Sequence, residues 1–195
     1  KYVQSSLGSI FKDVQEKLKK GKAVLFSGTP CQVDALKSYL RKDYEKLLAV
    51  DIICHGVPSE QFFNDYIHYT EKKLGGEILD FKFRDKSSGW GYNLTAKYVK
   101  QGGFEEFYRV SSSNSSYFDM FINSTALREN CYCCKYTNSN RVGDITIGDS
   151  WGTELSGELS KGVSLALCQT EKGQELLDMM DFNFYDVNIE NAIQC

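Results

Sequence analysis

The sequence predicts an α/β fold: a mixed sheet with a parallel βαβ unit, an antiparallel hairpin section and flanking helices. Three observations carry this expectation. Two apolar runs, Ala23 to Ser27 and Leu47 to Ile53, are separated by a helix-type pattern, and a strand, helix and strand in about thirty residues is a βαβ unit with parallel strands. From Glu77 the apolar period changes from helical spacing to two, as antiparallel strands require. A further strand-like run, Gly162 to Gln169, then leads into a helical pattern at the end of the chain.

The elements follow in order. Residues 6 to about 20 place Leu7, Ile10, Phe11, Val14 and Leu18 at three- and four-residue steps, with Gly21 as the stop and a lysine-rich outer face that is simply solvated. The run from Ala23 to Ser27 is continuously apolar, which is expected of a strand covered on both faces. Thr29 is a good N-cap and Pro30 the favoured first helical residue, so a helix runs from Pro30 through Val33, Leu36 and Leu40. After the second strand, Ser59 caps a helix carrying Phe62, Phe63, Tyr66 and Ile67.

Strands are expected from Ile78 to Arg84, from Tyr92 to Val99 and from Phe104 to Val110, the last two joined by a turn at Gln101-Gly102-Gly103. Tyr117 to Phe121 reads as a short helix and Asp144 to Gly148 as a strand, with Asp149-Ser150-Trp151-Gly152 a tight loop. Thr170 caps a helix through Leu176, Leu177 and Met180.

The chain of 195 residues, 42% hydrophobic and 25% charged, is long enough for a sizeable core. One domain is expected over 1–195, with a parallel part at 1–75, antiparallel strands at 76–110, and a cysteine segment with its closing strand and helix at 111–195. A net charge of −3 gives no basic footprint for nucleic acid. No apolar run reaches membrane-spanning length. Opening at Lys1 and closing at Cys195, the chain reads as a piece of a longer protein. Seven cysteines, irregularly spaced, do not make a small secreted disulfide scaffold, and a reducing, cytoplasmic setting is expected.

Cys131 and Cys134 form a C-x-x-C pair, a spacing that lets one turn aim two thiolates at a single metal or cluster. Cys31 falls in the first turn of its helix, where unpaired N–H groups and the helix dipole favour a thiolate. Cys54 holds the equivalent place after the second strand. Both follow the carboxyl ends of parallel strands, the edge where ligands bind in open α/β sheets. The two supply the missing half of a four-cysteine site.

His55, beside Cys54, is a candidate proton donor or hydrogen-bond donor to a cofactor, or merely a polar loop residue. The loop Phe83 to Gly91 carries Arg84 and Lys86 beside Trp90, and fits either an anionic cofactor or a solvated turn. Cys168 reads as core, and Cys133 has no assignment. The competing readings are a zinc-stabilised binding or scaffold domain on the same four cysteines, less usual with ligands from two sheet-edge loops and one knuckle, and thiol–disulfide exchange at Cys131 and Cys134.

Five stretches in order, Lys1-Tyr2-Val3-Gln4-Ser5, Phe26 to Gln32, Asp51 to Ser59, Phe83 to Lys86 and Gly143 to Asp149, resemble the coenzyme F420 hydrogenase/dehydrogenase beta-subunit family. The resemblance implies an iron–sulfur flavoprotein oxidoreductase in which a 4Fe-4S cluster exchanges electrons with FAD. The hydride partner is then a deazaflavin such as coenzyme F420 or another organic molecule, and some bacterial relatives belong to polysaccharide biosynthesis. It implies Cys31, Cys54, Cys131 and Cys134 as cluster ligands and places Thr29 and His55 toward the flavin, with Arg84 and Lys86 for its phosphates or the acceptor's carboxylates. It also implies a ferredoxin-like domain or subunit as electron donor or acceptor, with part of the FAD-binding segment upstream of Lys1.

Overall fold

The computed structural model describes residues 3, 5–89, 91–100, 102–150 and 162–188. The loops expected around Trp90 and at Trp151-Gly152 involve residues outside that set. The fold is mixed α/β, and the chain forms two compact units, one from Ser6–Cys54 with Lys135–Cys195, the other from His55–Cys134 with Lys1–Ser5.

The first unit holds α1 (Ile10–Lys19), β1 (Val24–Gly28), α2 (Pro30–Leu40), β2 (Leu47–Ile52), β6 (Ile145–Asp149), β7 (Ser164–Cys168) and α6 (Glu171–Asp178). Its sheet runs β1-β2-β6-β7, with β1, β2 and β6 parallel and β7 antiparallel to β6. Val14 and Leu18 of α1 and Val33, Leu36 and Leu40 of α2 pack on Phe26, Leu47 and Ala49. Both helices therefore cover the same side of β1. Leu25, pointing the other way, is 60% exposed, so the apolar run there does not become a strand covered on both faces.

Local chemistry sets the helix boundaries. α1 begins at Ile10, four residues later than its periodicity suggests, because Gly8 turns the chain at φ +47°. α2 starts at Pro30 with Thr29 extended at the N-cap, as those two residues dictate. Thr170 caps α6 by accepting from the Gly173 N–H at 3.2 Å, and its hydroxyl donates to Asp144 at 2.9 Å.

The second unit holds α3 (Glu60–Leu74), β3 (Gly76–Lys82), β4 (Asn93–Lys100), β5 (Glu105–Ser111), α4 (Ser116–Ile122) and the one-turn helix α5 (Glu129–Tyr132). The three strands form a separate antiparallel sheet in the order β3-β4-β5, with an irregularity between Ile78 and Asp80. Its core is aromatic. Tyr117, 1% exposed, stacks on Phe62 with ring centres 5.1 Å apart and meets Phe63, Tyr66 and Phe83 at 5.2–5.7 Å. Ser59 accepts from the Phe62 N–H at 3.1 Å, so the residue that caps α3 also orients the ring that packs on α4.

Cys168 ends β7 exposed, its thiol donating to the Thr170 carbonyl at 3.3 Å. It is not core, because α1 and α2 bury the opposite side of the sheet. Among the described residues no helix is long and apolar enough to cross a membrane.

The approach to β6 is close. A Cβ on Gly143 would lie 2.8 Å from the Asp51 nitrogen and from the Ile145 oxygen, and 3.1 Å from the Ala49 oxygen, all of them backbone atoms that cannot swing aside. Gly143→Ala is therefore expected to lower stability by about 1–3 kcal/mol, the usual range for overpacking. Urea denaturation monitored by circular dichroism checks it, and an unchanged midpoint would contradict this packing.

Candidate functional site

In the first unit Cys31 is the second residue of α2, and Cys54 lies two residues beyond the end of β2. The Thr29 N–H donates to Gln32 Oε1 at 3.0 Å, one half of a capping box. The Thr29 hydroxyl lies 3.1 Å from Cys31 Sγ. Thr29 thus has a sulfur contact that sequence reasoning did not foresee.

The segment 135–144, between the cysteine pair and β6, contains no helix or strand, and side chains hold it in place. The Tyr136 hydroxyl donates to Asp34 Oδ2 at 2.6 Å, and Lys135 pairs with the same oxygen at 3.1 Å. Asp34 is three residues after Cys31 on α2, hence on the same helical face. Farther along that helix Lys37 donates to the Val142 carbonyl at 2.6 Å. Arg141 donates to the carbonyls of Tyr136 and Ile52, both at 2.8 Å. Its guanidinium also meets buried Asp51 at 3.4 Å, whose other oxygen accepts from the Val142 and Gly143 N–H groups at 3.3 and 3.2 Å. Asp144, also buried, accepts from the Ala49 N–H at 2.7 Å and pairs with Lys172 at 3.6 Å.

In the second unit Cys131 is the third residue of α5, and Cys134 follows two residues after that helix ends. The Cys131 N–H donates to the Arg128 carbonyl at 2.8 Å, and the Arg128 N–H donates to the Val57 carbonyl at 2.9 Å. Gly56 packs there with φ +123°, and a Cβ on it would lie 2.7 Å from Leu127 and 3.4 Å from the Cys131 Cβ. The chain just past Cys54 therefore lies against the turn that carries Cys131. Cys133 caps α5 and is exposed.

His55 points its Nε2 at the Phe121 carbonyl, 2.9 Å away, and at the Ser124 hydroxyl, 3.2 Å away, with its ring centre 4.9 Å from that of Phe121. A carbonyl only accepts, so Nε2 carries a proton in this bond. Arg84 lies over the Tyr92 ring at 4.8 Å, and Lys86 opens an exposed 3-10 turn. Asp85 between them accepts from the Thr95 hydroxyl at 2.6 Å and from the Ser87 N–H at 3.0 Å, which hold its carboxyl down to about 2. A cavity of about 150 Å³ beside it is lined by Ser87, Asn93, Thr95, Arg109 and Ser111.

None of the six described cysteines is in a disulfide. The four candidate ligands divide two and two between the units, and among the described residues no three His, Cys, Asp or Glu side chains form a metal-binding group. All four donors are thiol sulfurs, the donor set that iron–sulfur clusters take.

The family model for the carboxy-terminal region of the coenzyme F420 hydrogenase/dehydrogenase beta subunit matches residues 21–187. The chain belongs to that family. Among curated proteins no match was found. Membership in the F420 hydrogenase/dehydrogenase beta-subunit family makes the chain an oxidoreductase of that type. The matched span takes in both cysteine-bearing strand ends, the C-x-x-C turn and the segment that follows it.

The Tyr136 hydroxyl, and after it Lys135, hold the Asp34 carboxyl below its ordinary value. A depressed folded-state value means that the ionised form stabilises the fold above the unfolded pKa, and that this contribution is lost as pH falls through the depressed one. Tyr136→Phe should raise the Asp34 value and reduce stability slightly near neutral pH, with the difference from the parent vanishing in strong acid. Carboxyl-carbon NMR titration with urea denaturation at both pH values checks this; an unmoved Asp34 titration would contradict it.

Proposed function

We propose that this chain carries electrons within an oxidoreductase beta subunit, holding a 4Fe-4S cluster on Cys31, Cys54, Cys131 and Cys134 next to an FAD. The observation that carries the reading is the anchoring of the chain around these cysteines. Arg141 ties Ile52, two residues before Cys54, to Tyr136, two residues after Cys134. Asp34 ties Lys135 and Tyr136 to the helix whose second residue is Cys31. Gly56, two residues after Cys54, packs against the turn of Cys131. Each contact lies inside one unit, and together they fasten the chain within three residues of each of the four cysteines.

When bound, the cluster would supply single electrons and the flavin would pair them into hydride for coenzyme F420 or another organic acceptor. The residues of this chain supply position and potential. The first turn of α2 places Cys31 beside Thr29, whose hydroxyl lies 3.1 Å from its sulfur and would orient it. His55, with Nε2 engaged by Phe121, would address a cofactor through Nδ1. Arg84 and Lys86 are the cations offered to flavin phosphates or to acceptor carboxylates. A ferredoxin-like domain or subunit is the electron partner this assignment calls for, and polysaccharide biosynthesis is one setting for the reaction.

Substitution tests the assignment. Cys31→Ser, Cys54→Ser, Cys131→Ser and Cys134→Ser are each expected to remove most of the bound iron and sulfide from anaerobically purified protein while leaving the circular dichroism largely unchanged. Cys133→Ser and Cys168→Ser should retain both. Full iron in any of the first four variants would remove that cysteine from the ligand set.

A further inference from the structure

We propose that Arg141 is a positioning residue for the cysteine site, its guanidinium setting the course of the chain just before Cys54 and just after Cys134. The inference rests on the cluster reading above and adds to it a residue that contacts no cofactor.

The simplest competing role for Arg141 is charge neutralisation of Asp51, which is fully buried. The distances argue against that as its main work. Its contact with the Asp51 carboxylate is 3.4 Å, whereas the two shortest bonds, both 2.8 Å, go to the main-chain carbonyls of Ile52 and Tyr136. Nε reaches the Thr146 hydroxyl at 3.4 Å. The side chain is only 9% exposed, so its donors are committed to protein partners rather than to water. Arginine suits this geometry because its planar fork aims several N–H groups in fixed directions; a lysine ammonium is a compact point charge that cannot span two diverging carbonyls in the same way.

The placement of those carbonyls gives the bonds their purpose. β2 ends at Ile52 and its last bonds to β6 include the Ile53 N–H to the Ile147 carbonyl at 2.8 Å, after which the chain reaches Cys54 without further ladder support. On the other side, Tyr136 follows Cys134 within a segment that has no helix or strand. Arg141 joins these two stretches directly. Asp34 and Lys37 of α2 also fasten this segment, through Tyr136 and Val142. Fixing ligand-bearing loops through partners outside the first shell is how proteins hold a metal site in shape, and loss of such a partner typically costs about 10–100-fold in metal affinity.

The test uses the full chain purified without oxygen, with iron and sulfide counted before each comparison. Arg141→Lys keeps a cation near Asp51 but loses the fork. It is expected to fold, to release iron to a ferrous chelator about tenfold faster than the parent, and to broaden the electron paramagnetic resonance of the reduced cluster. Asp144→Asn serves as the stability control, since it weakens the bonds to Ala49, Thr170 and Lys172 without touching residues 134–141; it should lower the melting temperature and leave iron release at the parent rate. If Arg141→Lys does not fold, the pair Asp51→Asn with Arg141→Gln leaves no unpaired buried charge and should show the same faster release. Parent-like release from the folded Arg141 variant would overturn the proposal, as would equal acceleration by Asp144→Asn. A parent protein without iron and sulfide overturns the cluster reading and this proposal together, whereas a stable cluster indifferent to Arg141 overturns this proposal alone.

Discussion

Asp51 is completely buried on an inner strand of the four-stranded mixed sheet, and a carboxylate there costs several kcal/mol unless its oxygens find donors. Those donors come from a single stretch of chain: the guanidinium of Arg141 and the backbone N–H groups of Val142 and Gly143. Asp144 makes the reciprocal connection, its carboxylate taking the Ala49 N–H of β2. The two buried acids thereby lock β6 onto β2 in one register, Asp51 opposite Thr146. Slipping by one residue would bury both carboxylates without partners, so the register is set by polar groups as much as by apolar pattern.

That register sets the path of the segment that leads into β6. With β6 beside β2, the segment 135–144 that leads into β6 runs along the end of β2 at Ile52 and along α2 at Asp34 and Lys37. Tyr136 and Lys135 bind Asp34 on the way, and Arg141 closes the connection to Ile52. In the other unit Gly56 lets the chain leaving Cys54 pack on the Leu127–Cys131 turn at φ +123°, a backbone conformation that a side chain at position 56 would strain. Fold and candidate site therefore share the same few polar contacts. A substitution that removes the Arg141 contacts disturbs both the Asp51 donor set and the chain beside Ile52 and Tyr136.

Much of the fold was legible because it rests on short-range chemistry. Thr29-Pro30, Ser59 and Thr170 announce helix starts through capping, and α2, α3 and α6 begin at the residues that follow them. The change to period two marks β3, β4 and β5 for the same reason. What was not legible depends on partners far away in sequence. Asp51 and Gly143 are 92 residues apart, and nothing near Arg141 distinguishes it from an arginine on the surface. An acid inside the apolar run Leu47 to Ile53 was the one local sign that a distant donor set had to exist. Cys168 was misplaced because strand alternation says which residues share a side, not which side the helices cover. The separate aromatic core around Tyr117 and the one-turn helix α5 likewise follow from packing that periodicity does not encode.

The most direct measurement on the central claim is the iron, acid-labile sulfide and zinc content of the parent protein, purified anaerobically, together with its visible spectrum before and after reduction. The account predicts about four irons and four sulfides per chain, with a broad absorption near 400 nm that bleaches on reduction, as a cubane cluster on four thiolates requires. One zinc with no visible colour would contradict it and make the four cysteines a structural tetrahedral site instead.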